Sequence, residues 1–355
     1  MILLNPGPVT LSSRVRNALL REDLCHREAE FAELTLDIRA RLERVYPATG
    51  GYVAVLITGS GSAAVEAMLT TMVPPAAKVL VVANGVYGER MAGMLERHRR
   101  PHTVVQAKWT EPLPLTQVEE ALSADAALRF VVCVHNETTT GRLNAVEALG
   151  RLCKERGVSL LLDAVSSFGA EELRFAEWNL VAAAATANKC LHSTPGVSFV
   201  LARVEALEGA ADNADTVVLD LARHFREQRQ GWSPFTQSVH GFFALQEALR
   251  ELEEAGGRSV RRERYAALSG RLREALPAFG APCLIPPAEC ASMLTAFKLP
   301  PRVRYDELHD GVKRAGFVIY AGQGPLAATI FRVATMGAIS DADMERLIAA
   351  FRAAL

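Results

Sequence analysis

The chain has 355 residues, enough for one large lobe and a smaller one, each with a substantial core. Half of the residues are hydrophobic, 22% are charged and the formal net charge is -1, which argues against nucleic acid or an anionic membrane as main partner and leaves small molecules. The six cysteines, Cys25, Cys133, Cys153, Cys190, Cys283 and Cys290, are dispersed without a CxxC pair and read as thiols in a reducing compartment rather than a disulfide framework.

The N-terminal "MILLNPGPVT" has too short an apolar run and no basic flank for a signal peptide. No stretch reaches the roughly 18 uncharged apolar residues of a membrane span, so a cytoplasmic address is expected. From about residue 53 to 202, short apolar runs alternate with amphipathic segments. The runs are "VAVLIT", "KVLVVAN", "RFVVCVHN", "SLLLDAV", "LVAAAATA" and "VSFVLA". Runs apolar on both faces, separated by helical patterns such as "SAAVEAMLTTMV", predict an α/β fold with a mostly parallel, doubly wound sheet. "NAVEALGRLCKERG" reads as a helix capped by its leading Asn144 and trailing Gly157. A long helical stretch follows "WSPFTQSVH", with a break expected at Gly256 and Gly257. The remaining strands and helices compose a small α+β lobe.

In such a sheet ligands sit at the carboxyl ends of the strands, so the residues that end each run matter most. "VAVLIT" leads into Gly59, Ser60, Gly61 and Ser62 and then a helix, a loop that offers N–H groups and hydroxyls to a phosphate. By itself that loop is equally a plain N-capped turn. "KVLVVAN" ends near Tyr87, an aromatic ring that either covers a flat heterocycle or simply packs. "RFVVCVHN" opens into Glu137, Thr138, Thr139, Thr140 and Gly141, hydroxyls for a ring substituent or an ordinary turn. "SLLLDAV" places Asp163 after four residues of which three are leucine, where an isolated carboxylate is costly without a cation. Lys189 follows 26 residues later at the tip of the next run, facing the same crevice. Burial lowers the pKa of such a lysine and makes it a nucleophile towards carbonyls. A phosphate loop, an aromatic lid, hydroxyl donors, an acid and a Schiff-base lysine together match the shape of pyridoxal 5′-phosphate. In that reading Asp163 pairs with the ring nitrogen, and Lys189 binds the aldehyde and shuttles the proton.

These stretches, "TGSGSAAVEAML", "NGVYGERM", "HNETTTG", "LLLDAVSSFG" and "ATANKCLH", resemble the fold-type I, class V pyridoxal-phosphate aminotransferases, and the likeness spans nearly the whole chain. Within that family the likeness is to the branch that moves the amino group of 2-aminoethylphosphonate to pyruvate. The resemblance implies Lys189 and Asp163 as the catalytic pair, Ser60, Gly61 and Ser62 as the phosphate cup, Thr138 near the ring oxygen and Tyr87 stacked on the ring. It also implies a homodimer with the active site at its interface, in which Thr236 of "PFTQSVH" reaches the neighbour's phosphate. Arg332 of "IFRVATMG" would bind the substrate's acidic group, with the N-terminal Asn5 and Gly7 lining the substrate pocket. The corresponding domains are an N-terminal segment 1–20 associated with the small domain, a large domain 21–256 and a small domain 257–355.

The pattern departs from the family at Ala29, at Ala321 in place of a proline and at Gln323 in place of a lysine. Loss of that cation predicts weaker selection for a doubly charged phosphonate. The alternatives are a class V alanine or serine transaminase acting on glyoxylate or pyruvate, and a non-catalytic phosphate-binding module. Cys25 and His26 lack the second pair a zinc site needs. His192 reads as structural, and the basic run "VRRERYAALSGRLRE" as a solvated helix face.

Overall fold

The computed structural model describes residues 1–46 and 50–355. Seven strands form the central sheet: β1 (Tyr52–Thr58), β2 (Lys78–Ala83), β3 (His102–Gln106), β4 (Leu128–Val134), β5 (Ser159–Asp163), β6 (Leu180–Thr186) and β7 (Val197–Arg203). Their order is β1-β7-β6-β5-β4-β2-β3, and β7 alone runs against the others. Alternate residues of the apolar runs feed two cores, one on each face of the sheet. Leu56, Leu80, Leu160 and Ala183 join the first, and Val55, Val79, Leu161 and Ala184 the second. Each buried Val or Leu is worth about 1.5–3 kcal/mol, which is why these runs carry almost no polar residue until they end. The helix Gly61–Met72 crosses the end of β6 closely; a Cβ at Gly61 would lie 3.4 Å from the Thr186 Cβ.

Register brings the strand ends level. Val134 stands beside Asp163, and Asp163 beside Ala184. The loops after β1, β2, β4, β5 and β6 therefore open at one edge of the sheet.

The second lobe is built on an antiparallel sheet of β8 (Leu294–Lys298), β9 (Tyr320–Ala321) and β10 (Ile330–Ala334), with β10 in the middle. Phe297 and Phe331 stack at 5.5 Å in its core beneath the helices Tyr305–Arg314 and Asp341–Ala354. Ser340 and Asp343 form a capping box at the start of the last helix. Ile2–Leu3 pair in parallel with Phe317–Val318, and Leu4 is buried in the same core. The helices Val239–Glu254 and Gly257–Ala275 are separated at Gly256, whose φ of +95° suits glycine. Among the described residues no helix is long and apolar enough to cross a membrane.

Two local readings need correction. Asn144 does not cap the helix Val146–Glu155: its side chain donates to the Val134 carbonyl and pairs with the Asn84 amide. The basic helix face is more than solvated, because Arg258 pairs with Glu172, Arg262 with the buried Glu171, and Arg261 donates to the Cys190 carbonyl. These arginines tie the Gly257–Ala275 helix to the large lobe.

Candidate active site

The strand-end loops enclose a cavity of about 490 Å³ lined by Gly7, Gly59, Ser60, Gly61, Ser62, Tyr87, Arg90, Val165, Asn188 and Lys189, among others. Asp163 lines an adjoining recess that shares Ser62, Tyr87, Arg90 and Val165 as walls.

Lys189 sits in the turn after β6, and its Nζ donates to the Pro6 carbonyl. Burial lowers its pKa to about 8, with the nearby Asp163 charge acting in the opposite sense. Asp163 ends β5 and is 7% exposed; its Oδ1 accepts the Val165 N–H at 2.9 Å, and among the described residues no group bonds the other oxygen. Burial raises its pKa to about 6, against the lowering influence of that N–H, Lys189 and Arg90.

The segment Asn5–Pro8 lies against the lysine. Gly7 has φ +120°, and a Cβ there would stand 2.6 Å from Lys189 Cδ and 2.9 Å from Nζ. Gly7→Ala is therefore expected to strain the backbone by about 1–3 kcal/mol and to displace the amine. A lowered melting temperature together with weakened cofactor binding is the readout. Asn5 is buried and spends its amide on the Pro8 carbonyl, closing the turn; no contact takes its side chain to the cavity.

Ser60 caps the Gly61–Met72 helix by accepting the Ala63 N–H, and Gly61 is pinned because a Cβ would strike Val165 at 2.6 Å. Ser62 accepts from Arg90 Nη1 at 3.2 Å, and the Arg90 guanidinium lies 4.6 Å from the centre of the Tyr87 ring. The loop thus presents helix N–H groups, hydroxyls and a guanidinium, a set suited to a phosphate. Thr138 is buried and its hydroxyl has no partner among the described residues, a donor left over for a bound group. Thr236 is exposed, on a loop that Thr58 holds through Gln237 and the Ser238 N–H.

Arg332 lies on β10 and is only 3% exposed. It donates to the carbonyls of Ala321 and Thr138 and to the Gln323 side-chain oxygen, and among the described residues it has no carboxylate partner. The charge of Glu137 acts on it through space and not by contact, so the buried guanidinium can still take an anion directly.

Sequence reasoning gave no role to Arg90, to the Pro6 carbonyl or to Glu137. Glu137 is fully buried beside Tyr87, and burial holds its carboxyl up at about 7. His192 accepts the Gly337 N–H at 2.8 Å and meets the Tyr265 hydroxyl, so the turn carrying Lys189 is fastened to the second lobe.

The family described as aminotransferase class-V matches residues 12–338. The chain is a class V aminotransferase. Its fold is that of the fold-type I enzymes, and its cofactor is pyridoxal 5′-phosphate. Among curated relatives, the 2-aminoethylphosphonate–pyruvate transaminase of Pseudomonas aeruginosa is 36% identical across 100% of this chain and 96% of its own length. The enzyme of that name from Syntrophobacter fumaroxidans is 37% identical over the same shares. Among solved structures, a subgroup IV aspartate aminotransferase from Thermus thermophilus superposes with a TM-score of 0.90 at 28% identity, covering 100% of this chain and 99% of the other. An alanine–glyoxylate aminotransferase from Nostoc sp. gives 0.90 at 26% identity, covering 99% and 94%. Membership in an enzyme family removes the reading of a non-catalytic phosphate-binding module.

The residues present fit the cofactor of a class V aminotransferase. The half-bonded Asp163 carboxyl, the Gly61 cradle and the Lys189 amine, held by a single backbone carbonyl, border the two joined recesses, and Thr138 adds a buried hydroxyl without a partner among the described residues.

Proposed function

We propose that this aminotransferase moves the amino group of 2-aminoethylphosphonate to pyruvate, giving phosphonoacetaldehyde and L-alanine. The observation that carries the reading is the buried Arg332, which no carboxylate contacts among the described residues and whose charge acts on Lys189, in a chain aligned end to end with relatives named for that reaction. A planar guanidinium fork accepts the phosphonate of the donor and the carboxylate of the acceptor in turn.

When bound, pyridoxal 5′-phosphate supplies an aldehyde for amine exchange and a ring that delocalises charge from the substrate carbon. The chain's own residues do the rest. Ser60, Gly61 and Ser62 hold the phosphate with helix N–H groups and hydroxyls. Asp163 would pair with the cofactor's ring nitrogen, Thr138 would offer its hydroxyl to the ring oxygen, and Tyr87 would cover the ring. Lys189 would hold the cofactor through its Nζ, and the same amine would serve as the proton carrier at the substrate carbon. Gly7 leaves room for the lysine chain, and Asn5 closes the turn that holds this segment in place through the Pro8 carbonyl. The enzyme works as a homodimer whose Thr236 completes the neighbour's phosphate site, in the cytoplasm, on small molecules alone. The cofactor-binding domain is residues 21–256 and the small domain 257–355; of the N-terminal segment 1–20, residues 2–4 follow the small domain, whereas the helix Ser13–Ala18 packs on the helix Val239–Glu254.

Incubation with 2-aminoethylphosphonate alone should discharge the absorbance of the bound cofactor, and pyruvate should restore it. An unchanged spectrum with this donor would reject the substrate.

One observation favours a second reading with carboxylated donors such as alanine or serine. The group that meets Arg332 is the neutral Gln323 where the resemblance implies a lysine, so the cation that would share a dianion with Arg332 is missing at that position. Turnover of 2-aminoethylphosphonate against alanine and serine, with pyruvate or glyoxylate as acceptor, separates the two.

Arg332→Ala is expected to raise KM for the acidic substrate by about 10- to 100-fold, the worth of one or two hydrogen bonds to a charged group. The change in kcat should be smaller. An equal fall in kcat at unchanged KM would place the acid group elsewhere.

A further inference from the structure

The helix Val86–Arg97 starts at Gly85, which has no side chain to cap it. Its first amides are nevertheless satisfied, from a loop some fifty residues away. The Tyr87 N–H donates to Glu137 Oε2 at 3.3 Å, and the Val86 N–H donates to Thr139 Oγ1 at 3.3 Å. Glu137 Oε1 in turn accepts the Thr139 N–H at 3.1 Å and its hydroxyl at 2.5 Å. The fit is tight, since a Cβ on Gly85 would lie 2.3 Å from the Glu137 carboxyl carbon. An anionic acceptor at a helix N-terminus is also favoured by the helix dipole.

This carboxylate joins a cavity wall to a neighbouring loop. The helix it caps carries Tyr87, which lines the cavity, and its own loop carries Thr138, whose hydroxyl has no partner among the described residues and whose backbone carbonyl accepts from Arg332. Glu137 itself does not line the cavity. We propose that Glu137 is a positioning residue, an external cap on the Val86–Arg97 helix that fixes where the Tyr87 ring and the Thr138 hydroxyl stand against the cofactor. Both carboxylate oxygens are used as acceptors, so an amide of the same shape would satisfy only one side of the bridge. Burial raises the acid's pKa towards neutrality, so retaining a carboxyl here is costly and needs such a return. The inference rests on the assignment of Tyr87 to the cofactor ring.

The test is hydrogen–deuterium exchange on the holoenzyme, read together with the circular dichroism of the bound cofactor, for Glu137→Ala, Glu137→Gln and Thr139→Val. Glu137→Ala should speed exchange in peptides spanning residues 84–90 by about tenfold, the loss of one cap, while the Gly257–Ala275 helix exchanges as before. The cofactor's dichroic band should shrink with it. Glu137→Gln should fall between wild type and alanine, and Thr139→Val, which removes the hydroxyl bridge but keeps the volume, should reproduce the exchange effect if the alanine variant does not fold. Unchanged exchange at residues 84–90, or an equal rise throughout the chain, overturns the proposal. Tyr87→Ala run in parallel separates the two assignments: if it leaves the band intact, the stacking role fails, whereas a band lost in Tyr87→Ala but kept in Glu137→Ala defeats the cap.

Discussion

Lys189→Ala should lower transamination by roughly 10⁴-fold, the upper end of what a positioned proton carrier contributes, because the same change removes the cofactor's covalent anchor. Cofactor should remain bound through the phosphate loop, which keeps its other ligands, and the bound spectrum should become that of the free aldehyde. The physical cause lies in burial. Nζ is taken from water by the Asn5–Pro8 segment and the end of β6, so its pKa falls to about 8. Below that pH the amine is mostly ammonium and has no lone pair to offer; above it the free base predominates. The rate at which apoenzyme takes up pyridoxal 5′-phosphate should therefore rise with pH around a midpoint near 8, well below the usual lysine range. A midpoint near 10.5 would mean that water reaches the amine freely.

Asp163→Asn should cost about 10²–10³-fold in kcat, the size of an electrostatic contribution lost from a preorganised site. The amide keeps the shape and can still accept the Val165 N–H, but it cannot balance a protonated ring nitrogen. Folding should not suffer. The carboxyl's folded pKa of about 6 exceeds its ordinary 3.8, so between these values the folded chain binds more protons than the unfolded one, and stability falls as pH rises. At pH 7 that cost is fully present in the wild-type apoenzyme and absent from the variant, whose melting temperature should be no lower. Since the Asp163 charge also raises the lysine's pKa, the uptake midpoint should shift below 8. A variant that melts much lower would turn the activity loss into a folding effect.

The sheet was legible because its strands are buried on both faces, which leaves unbroken apolar runs whose polar ends stand out. Asp163 and Lys189 were found for that reason: each is an isolated charge at the end of such a run. Arg332 needed the family resemblance, since nothing in "IFRVATMG" says that the guanidinium lacks a carboxylate. The role of Glu137 is not legible in the sequence because it depends on a gap at Gly85 and on two amides distant in sequence. A helix that begins after glycine with no capping side chain was the available signal. Asn144 was misread by the same local logic, since a cap is inferred from neighbours while its actual partners, Asn84 and the Val134 carbonyl, lie across the sheet. The arginines of the Gly257–Ala275 helix look solvated by periodicity, yet they meet Glu171, Glu172 and the Cys190 carbonyl on the other lobe.

The account depends on the cofactor aldehyde being held by the amine of Lys189 in a site completed by Asp163. Borohydride treatment of the holoenzyme followed by peptide mass mapping tests this most directly. The predicted result is a pyridoxyl-phosphate increment on the peptide containing Lys189, present in wild type and absent from Lys189→Ala. An increment on Lys78, Lys108 or another lysine, or none at all in enzyme that carries the cofactor, would contradict it.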